Sequence, residues 1–444
     1  MASLVPSKRL LIYVASLLPL GVLPAVNPAL TPVAVILGCL ALLPVVADGV
    51  RAQKLLVGVA IQLQPVIRLC CNRPGEITVT VTQQGNSLPQ ISVGVDLPPS
   101  IETDSEIVTV PLTTGYERFA FPLAVVPTRR GLFPLSLAMF AARSRFGFWE
   151  VRQAESLSTE IRVYPNLQME QKSLAPLFLP RAAAGIHIRR QVGQGREFEK
   201  LREYLPGDSM DMIHWKATAK RQIPMSKLYQ VERVQEVYAV VDAARLSGQS
   251  LPGAENEQRL EAFIRASLVM GTAARHQGDL FGLLTFSHRV DSFLRAKGGA
   301  GHFNVCRDHL CMLEMRTVSP DYRELTIFIR QKLKKRALLV FMTSLDDPVL
   351  AEELLKSLEL ITRHHLVVVM VMAPKTARPL FSDEQVTSGD DIRRNLVGHL
   401  QDQALRTLER EFHHRGIIMV RSDNGALSSQ VVQQYLTVKT RQML

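Results

Sequence analysis

From Leu10 to Ala47 the chain runs for 38 residues without one charged side chain, and this stretch limits the fold more than any other feature. It divides at Asn27-Pro28, with Pro24 and Pro32 close by. Each half supplies about 17 mainly apolar residues, at the lower edge of what a bilayer-spanning helix needs. The pattern predicts a transmembrane helical hairpin, two short helices joined by a tight turn, over residues 1–54. A signal peptide is the alternative, but no small-residue cleavage pattern followed by a polar start is visible, and the second apolar block would still anchor the chain. Lys8 and Arg9 precede the run, Arg51 and Lys54 follow it, and the turn is uncharged. The positive-inside bias therefore puts both ends, and everything after residue 50, in the cytoplasm, which gives a two-pass protein of the cytoplasmic membrane. Prolines 19, 24 and 44 fall inside these segments, where membrane helices tolerate them as kinks.

The remaining length is enough for two or three folded domains. Hydrophobic residues make up 47% and charged residues 21%, which calls for real cores rather than disorder. The five cysteines are scattered, with Cys70 and Cys71 adjacent, so they form no disulfide framework and fit a reduced setting. Net charge is +11, and Arg181 to Arg233 holds 11 Lys/Arg against 6 Asp/Glu. Beside a membrane segment, this excess points to the lipid bilayer. Nucleic acid is not expected as a partner, because the basic residues are interleaved with acids and no reading helix or stacking platform is apparent.

Residues 55–165 read as an all-β sandwich. Ile77-Thr-Val-Thr-Val-Thr82 alternates apolar and hydroxyl side chains, and Ile91 to Val95, Ile107 to Leu112 and Phe119 to Val126 repeat the habit between Gly- and Pro-rich turns. Arg129-Arg130-Gly131 reads as a solvated turn. No catalytic cluster is visible there, so this domain reads as an interaction or spacer module.

Residues 166–235 form a connector dense in charge and aromatic bulk. Phe198, Leu201 and Leu205 recur at helical spacing, Pro206-Gly207 forces a turn, and Asp208 is placed to cap a following helical turn that carries Trp215. From residue 236 to 444 the rhythm becomes strand, helix, strand. Apolar runs at 237–241, 280–286, 337–342, 366–371 and 417–420 alternate with helical patterns at 260–271, 350–362 and 391–414, which predicts an α/β doubly wound, parallel sheet.

Gly195-Arg-Glu197-Phe198, Leu201-Arg202-Glu-Tyr204, Pro206-Gly207-Asp208, Ile213-x-Trp215-Lys-Ala and Glu232 resemble the hallmark of domain-of-unknown-function family fifty-eight, bacterial membrane-anchored proteins with a von Willebrand factor A-like domain. Arg129-Arg-Gly, Ser144-Arg-Phe-Gly-Phe-Trp149 and Val163-Tyr-Pro-Asn166 extend the likeness over most of the chain. Two positions depart from it: Asp211 stands where the family usually has arginine, and His214 where it usually has aspartate. The resemblance implies a von Willebrand factor A-like sheet. In that fold, an Asp-x-Ser-x-Ser run after the first strand, with a threonine and an aspartate from neighbouring loops, holds magnesium in an octahedron of oxygens. It also implies a MoxR-type AAA+ ATPase as partner.

Here the run is Asp242-Ala243-Ala244-Arg245-Leu246, without either hydroxyl, and the later strand ends in Thr343-Ser344-Leu345-Asp346-Asp347. A degenerate rim is expected, with Arg245 paired to Asp242 or Asp346 in place of an ion. No bound metal and no cofactor are expected. The competing reading is a weak divalent site built from Thr343, Asp346 and Asp347, which would make the domain a metal-dependent binding module.

His302, Cys306, His309 and Cys311 combine imidazole and thiol, but one helix cannot close a tetrahedral zinc site, so buried structural cysteines are expected. The chain has no Gly-x-Ser-x-Gly elbow, and Lys297-Gly-Gly-Ala-Gly301 lacks the spacing of a phosphate loop. Glu197, Arg202, Asp208 and Glu232 read as a structural ion-pair network, with a hydrolase using these carboxylates as the alternative. The leading expectation is a non-enzymatic, membrane-tethered scaffold or adaptor.

Overall fold

A computed structural model of the chain describes residues 3–26, 31–83, 88–112, 118–168, 170, 192–205, 210, 213–230, 234–251, 254–373, 377–380, 382, 388–422 and 425–441. They form two compact units, 1–166 and 167–444. Within the hallmark, Pro206, Gly207, Asp208, Asp211 and Glu232 lie outside the described residues.

The first unit begins with a short strand, β1 (Ser3–Pro6), and two helices, α1 (Lys8–Val26) and α2 (Thr31–Ala52). α2 is long and apolar enough to cross a membrane, with a mean hydropathy of 2.4. The helices touch where the Tyr13 hydroxyl donates to the Ala41 carbonyl at 3.0 Å.

Nine strands follow: β2 (Val59–Gln62), β3 (Val66–Cys70), β4 (Gly75–Gln83), β5 (Gln90–Val95), β6 (Ile101–Thr103), β7 (Ile107–Pro111), β8 (Arg118–Pro127), β9 (Gly131–Arg143) and β10 (Trp149–Tyr164). One sheet runs β1-β10-β9-β5-β7, with β3 alongside β10, and the other runs β2-β4-β8-β6. The period-2 pattern does its work in β4, where Ile77, Val79 and Val81 are completely buried while the threonines between them face away. These three residues share one apolar cluster with Ile91, Leu135, Phe140 and Ile161 of the other sheet.

The motif Ser144 to Trp149 lies in the turn between β9 and β10 and grips the end of α2. Asp48, the first acid after the charge-free run, is buried and accepts a hydrogen bond from the Ser144 hydroxyl at 2.5 Å. Ser144 Oγ in turn accepts from the Trp149 backbone N–H at 3.0 Å. The Trp149 indole donates to the Val45 carbonyl at 2.9 Å, and Phe148 meets Tyr13 of α1 with ring centroids 5.0 Å apart.

The second unit opens with the hallmark segment, and here the helical expectation fails. Residues through Phe198 and Leu201 form strand β11 (Val192–Glu203), antiparallel to β12 (Met225–Gln230). Phe198 opposes Tyr229 across the hairpin, and a register shift between Phe198 and Lys200 breaks the strict alternation of the strand, so a three-residue spacing arises there without a helix. Between the two strands lies a seven-residue helix, α3 (Trp215–Arg221).

The rest of the unit is one mixed sheet with helices on both faces. Its strands are β13 (Glu236–Asp242), β16 (Leu280–Phe286), β17 (Val290–Lys297), β18 (Leu338–Thr343), β19 (Leu366–Met372) and β20 (Ile418–Ser422); β14 (Ser250–Leu251) and β15 (Ala254–Gln258) form a separate small ribbon. The order is β17-β16-β13-β18-β19-β20, parallel except for β17, an antiparallel edge strand missed in the sequence because Val290 to Lys297 is half polar. The other five apolar runs all became strands.

Helices α4 (Arg259–His276), α5 (Ala300–Cys311), α6 (Tyr322–Lys332), α7 (Pro348–Thr362), α8 (Gly389–His414) and α9 (Leu427–Thr440) cover the sheet. Alternate residues of β13 divide between two cores. Val237, Ala239 and Val241 join α4, α5 and α9, while Tyr238 and Val240 join α6, α7 and α8. Burial on both faces explains why these strands read as continuous apolar runs.

Candidate functional site

In an open α/β sheet, ligands collect beyond the carboxyl ends of the central strands, here the ends of β13 and β18. Asp242 closes β13 and is 2% exposed. Both of its oxygens are engaged: Oδ1 accepts from the Ala244 N–H at 2.8 Å and Oδ2 from the Thr343 hydroxyl at 2.6 Å. Burial pushes its carboxyl up to about 6, against the opposing pull of these two hydrogen bonds. Thr343 is fully buried at the end of β18, and its hydroxyl lies 3.3 Å from that of Tyr322. Burial first, and the nearby Asp242 charge second, raise the Tyr322 hydroxyl far above the ordinary phenol range.

Arg245 does not replace an ion. Its side chain is exposed, and its backbone N–H donates to the Val318 carbonyl at 2.9 Å as a single 3-10 turn begins, with Leu246 half-buried beside it. The cation at Asp346 is the buried Arg259, the first residue of α4, which forms a part-buried hydrogen-bonded ion pair with it. Sequence reasoning missed Arg259, because a charge heading an amphipathic helix reads as solvated. Asp347 is spent as the N-cap of α7, accepting from the Val349 N–H at 2.9 Å.

This donor set does not fit magnesium. Each oxygen of the one buried carboxylate already accepts a protein hydrogen bond, Ala243 and Ala244 offer no side-chain oxygen, and the second carboxylate is paired with an arginine. Ser344 is the exception. Its hydroxyl is buried and has no hydrogen-bond partner among the described residues.

The second cluster resolves as helix packing. Cys306 and Cys311 are buried, and burial pushes the Cys306 thiol up to about 11, so it stays protonated. His302 Nε2 lies 3.0 Å from the Phe281 carbonyl, and His309 bonds Ser292 at 3.2 Å. Among the described residues, no group of three His, Cys, Asp or Glu is placed to hold a metal ion.

In the hallmark, Gly195, Glu197 and Phe198 occupy positions along β11, with Glu197 opposite Gln230. Leu201 and Arg202 follow, half-buried, and the Tyr204 N–H donates to the Pro224 carbonyl at 2.9 Å. Trp215 is 70% exposed. Of the acid-base set, Asp208 and Glu232 lie outside the described residues. His214 has a definite task. Its Nδ1 accepts the Ala217 N–H at 3.1 Å as the N-cap of α3, the role an aspartate performs at a helix start.

Residues 200–394 match a family model described as protein of unknown function DUF58. No curated protein matches the chain. Among solved structures, conserved hypothetical protein BatB from Bacteroides thetaiotaomicron aligns at 13% identity over 46% of this chain and 99% of its own, with a TM-score of 0.31. The SpRpn10 VWA domain aligns at 10% identity over 45% of this chain and 95% of its own, with a TM-score of 0.29. Proximal thread matrix protein 1 from the mussel byssus aligns at 8% identity over 46% of this chain and 45% of its own, with a TM-score of 0.27.

Proposed function

We propose that this chain, whose residues 200–394 match the DUF58 model of proteins of unknown function, is a membrane-tethered adaptor that works by binding another protein. In this reading α1 and α2 form a two-pass hairpin in the cytoplasmic membrane. An all-β sandwich and a von Willebrand factor A-like domain then face the cytoplasm. The partner that the family resemblance implies is a MoxR-type AAA+ ATPase.

One observation carries the reading: the rim where a metal-dependent A domain grips its cation is closed by the protein's own donors, Thr343 and Ala244 on Asp242 and Arg259 on Asp346. A rim whose carboxylates are already engaged by the protein's own donors has little ionic chemistry to offer and is left chiefly with shape and side chains for contact. Support for the tether comes from the apolar α2 and from the basic residues flanking the charge-free run. Affinity capture from crosslinked membranes with nucleotide present is expected to enrich a MoxR-type ATPase. Capture that returns none would overturn the assignment of partner.

The orphaned Ser344 hydroxyl favours a second reading, a module that takes a divalent cation through Thr343, Ser344 and Asp346. Isothermal titration of the full chain with magnesium or manganese separates the two. The adaptor reading expects no saturable heat, whereas heat abolished by Asp346→Ala would establish the metal site.

A further inference from the structure

One of the two edges of the α/β sheet carries a feature that the rim does not explain. β20 ends the sheet: it pairs with β19 on one side, and no strand lies on the other among the described residues. Exposed edges are normally blunted by proline, lysine or an inward charge. The run Ile418-Met-Val-Arg-Ser422 has β-forming side chains and only Arg421 to interrupt them.

A cleft of about 390 Å3 lies between this strand and the last turns of α8, lined by Ile418 and Met419 on one side and by Arg406, Arg410 and His413 on the other. Two of its arginines are neutralised locally. Arg421 pairs with Asp402 at 2.9 Å and Glu409 at 3.0 Å, and Arg406 pairs with Asp402 at 2.8 Å. Arg410 is exposed and has no ion-pair partner among the described residues, so the cleft carries a positive surplus.

The helix extends this surface. Ile392, Leu396, His399, Gln403, Arg406 and Arg410 follow one another at alternating steps of four and three residues, which places them in one line along α8. Ile392 and Leu396 are 59% and 49% exposed on that line, although large apolar side chains on an amphipathic helix normally face the core. A strand edge with no further strand paired to it among the described residues, a basic end and an apolar end together describe a seat for an extended chain.

We propose that β20 and α8 form a docking groove for an extended acidic segment of a partner polypeptide. The segment adds to the sheet as a further strand and sets a carboxylate against Arg410. This rests on the adaptor reading, to which it adds the surface and the chemistry of what is held.

The test uses the full chain in detergent and a labelled twelve-residue peptide alternating glutamate with valine, followed by fluorescence anisotropy. Saturable binding is expected, weakened at least tenfold by Arg410→Glu. It should weaken at least tenfold again for the same peptide N-methylated at alternate residues, which keeps its charge but cannot pair as a strand. Competition by inorganic phosphate alone, equal binding of the methylated peptide, or indifference to Arg410→Glu would each overturn the groove. ATPase capture from membranes, run in parallel, keeps the two proposals apart. If capture persists while the peptide fails to bind, the adaptor stands and the groove falls. If the peptide binds as described but no ATPase is captured, the groove stands and the assigned partner falls.

Discussion

Asp242→Asn should abolish a fall in the stability of the second unit worth about 3 kcal/mol as pH rises from about 4 to about 7. The sign follows from the direction of the shift. The Asp242 carboxyl is raised from 3.8 to about 6, so the folded protein holds its proton more tightly than the unfolded chain does. The stabilisation is complete below the unfolded value and is lost as pH climbs through the folded one. Above that range the wild type carries an ionised carboxylate that is almost fully shielded from water and has only two neutral donors to steady it.

Asparagine keeps the local geometry. Its oxygen can accept the Ala244 N–H and its amide can donate to Thr343 Oγ1, whose hydroxyl is then free to turn toward Tyr322. Denaturant unfolding of both proteins at pH 4.5 and 7.5 is the measurement. Parallel pH profiles would show that burial of this carboxylate does not govern the domain's stability. The same experiment bears on the rim, because a cation seated beside Asp242 would favour the ionised form and reverse the slope.

The α/β unit was legible in the sequence because its strands are buried on both faces. Continuous runs such as Leu338 to Thr343 have no other economical place in a soluble fold, and their boundaries fell within a few residues of expectation. β17 escaped because an edge strand faces water on one side and dilutes its apolar residues with Asp291, Ser292 and Arg295. The hallmark hairpin was misread for a related reason. Phe198 and Leu201 occupy a short two-stranded ribbon, and too few apolar positions recur there to separate the two periods.

At the rim, the absence of hydroxyls at Ala243 and Ala244 was visible as letters, and the reading of a degenerate site rests on them. The identity of the compensating cation was not visible. Arg245 is adjacent in sequence but points into solvent, whereas Arg259 reaches Asp346 from the start of α4 across 87 residues of chain. Sequence proximity is a poor guide to charge pairing once strands and helices have carried neighbours apart.

Asp48→Ala should release the end of α2 from the β9–β10 turn at a cost of about 2 kcal/mol, the scale of one buried hydrogen bond to a charged acceptor with its donor left stranded. Asp48 sits one residue beyond the charge-free run, is 2% exposed, and receives the Ser144 hydroxyl at 2.5 Å. Ser144 Oγ takes the Trp149 N–H, and the Trp149 ring donates to the Val45 carbonyl one helical turn before Asp48. The chain of contacts therefore starts and ends on α2, and losing the carboxylate leaves Ser144 without an acceptor while it still holds Trp149.

Gly49 shows how close the fit is: a Cβ there would approach the Trp149 indole nitrogen to 3.1 Å, so the ring lies almost against the helix backbone. Amide hydrogen exchange across 144–149 should accelerate by roughly 30-fold in Asp48→Ala, the rate ratio equivalent to about 2 kcal/mol. Asp48→Asn, which retains an acceptor, should change it little. Equal exchange in all three proteins would mean that the aromatic contacts alone fix the turn. Loss of protection confined to the alanine variant would identify the buried carboxylate as the joint through which the helix holds its β-domain.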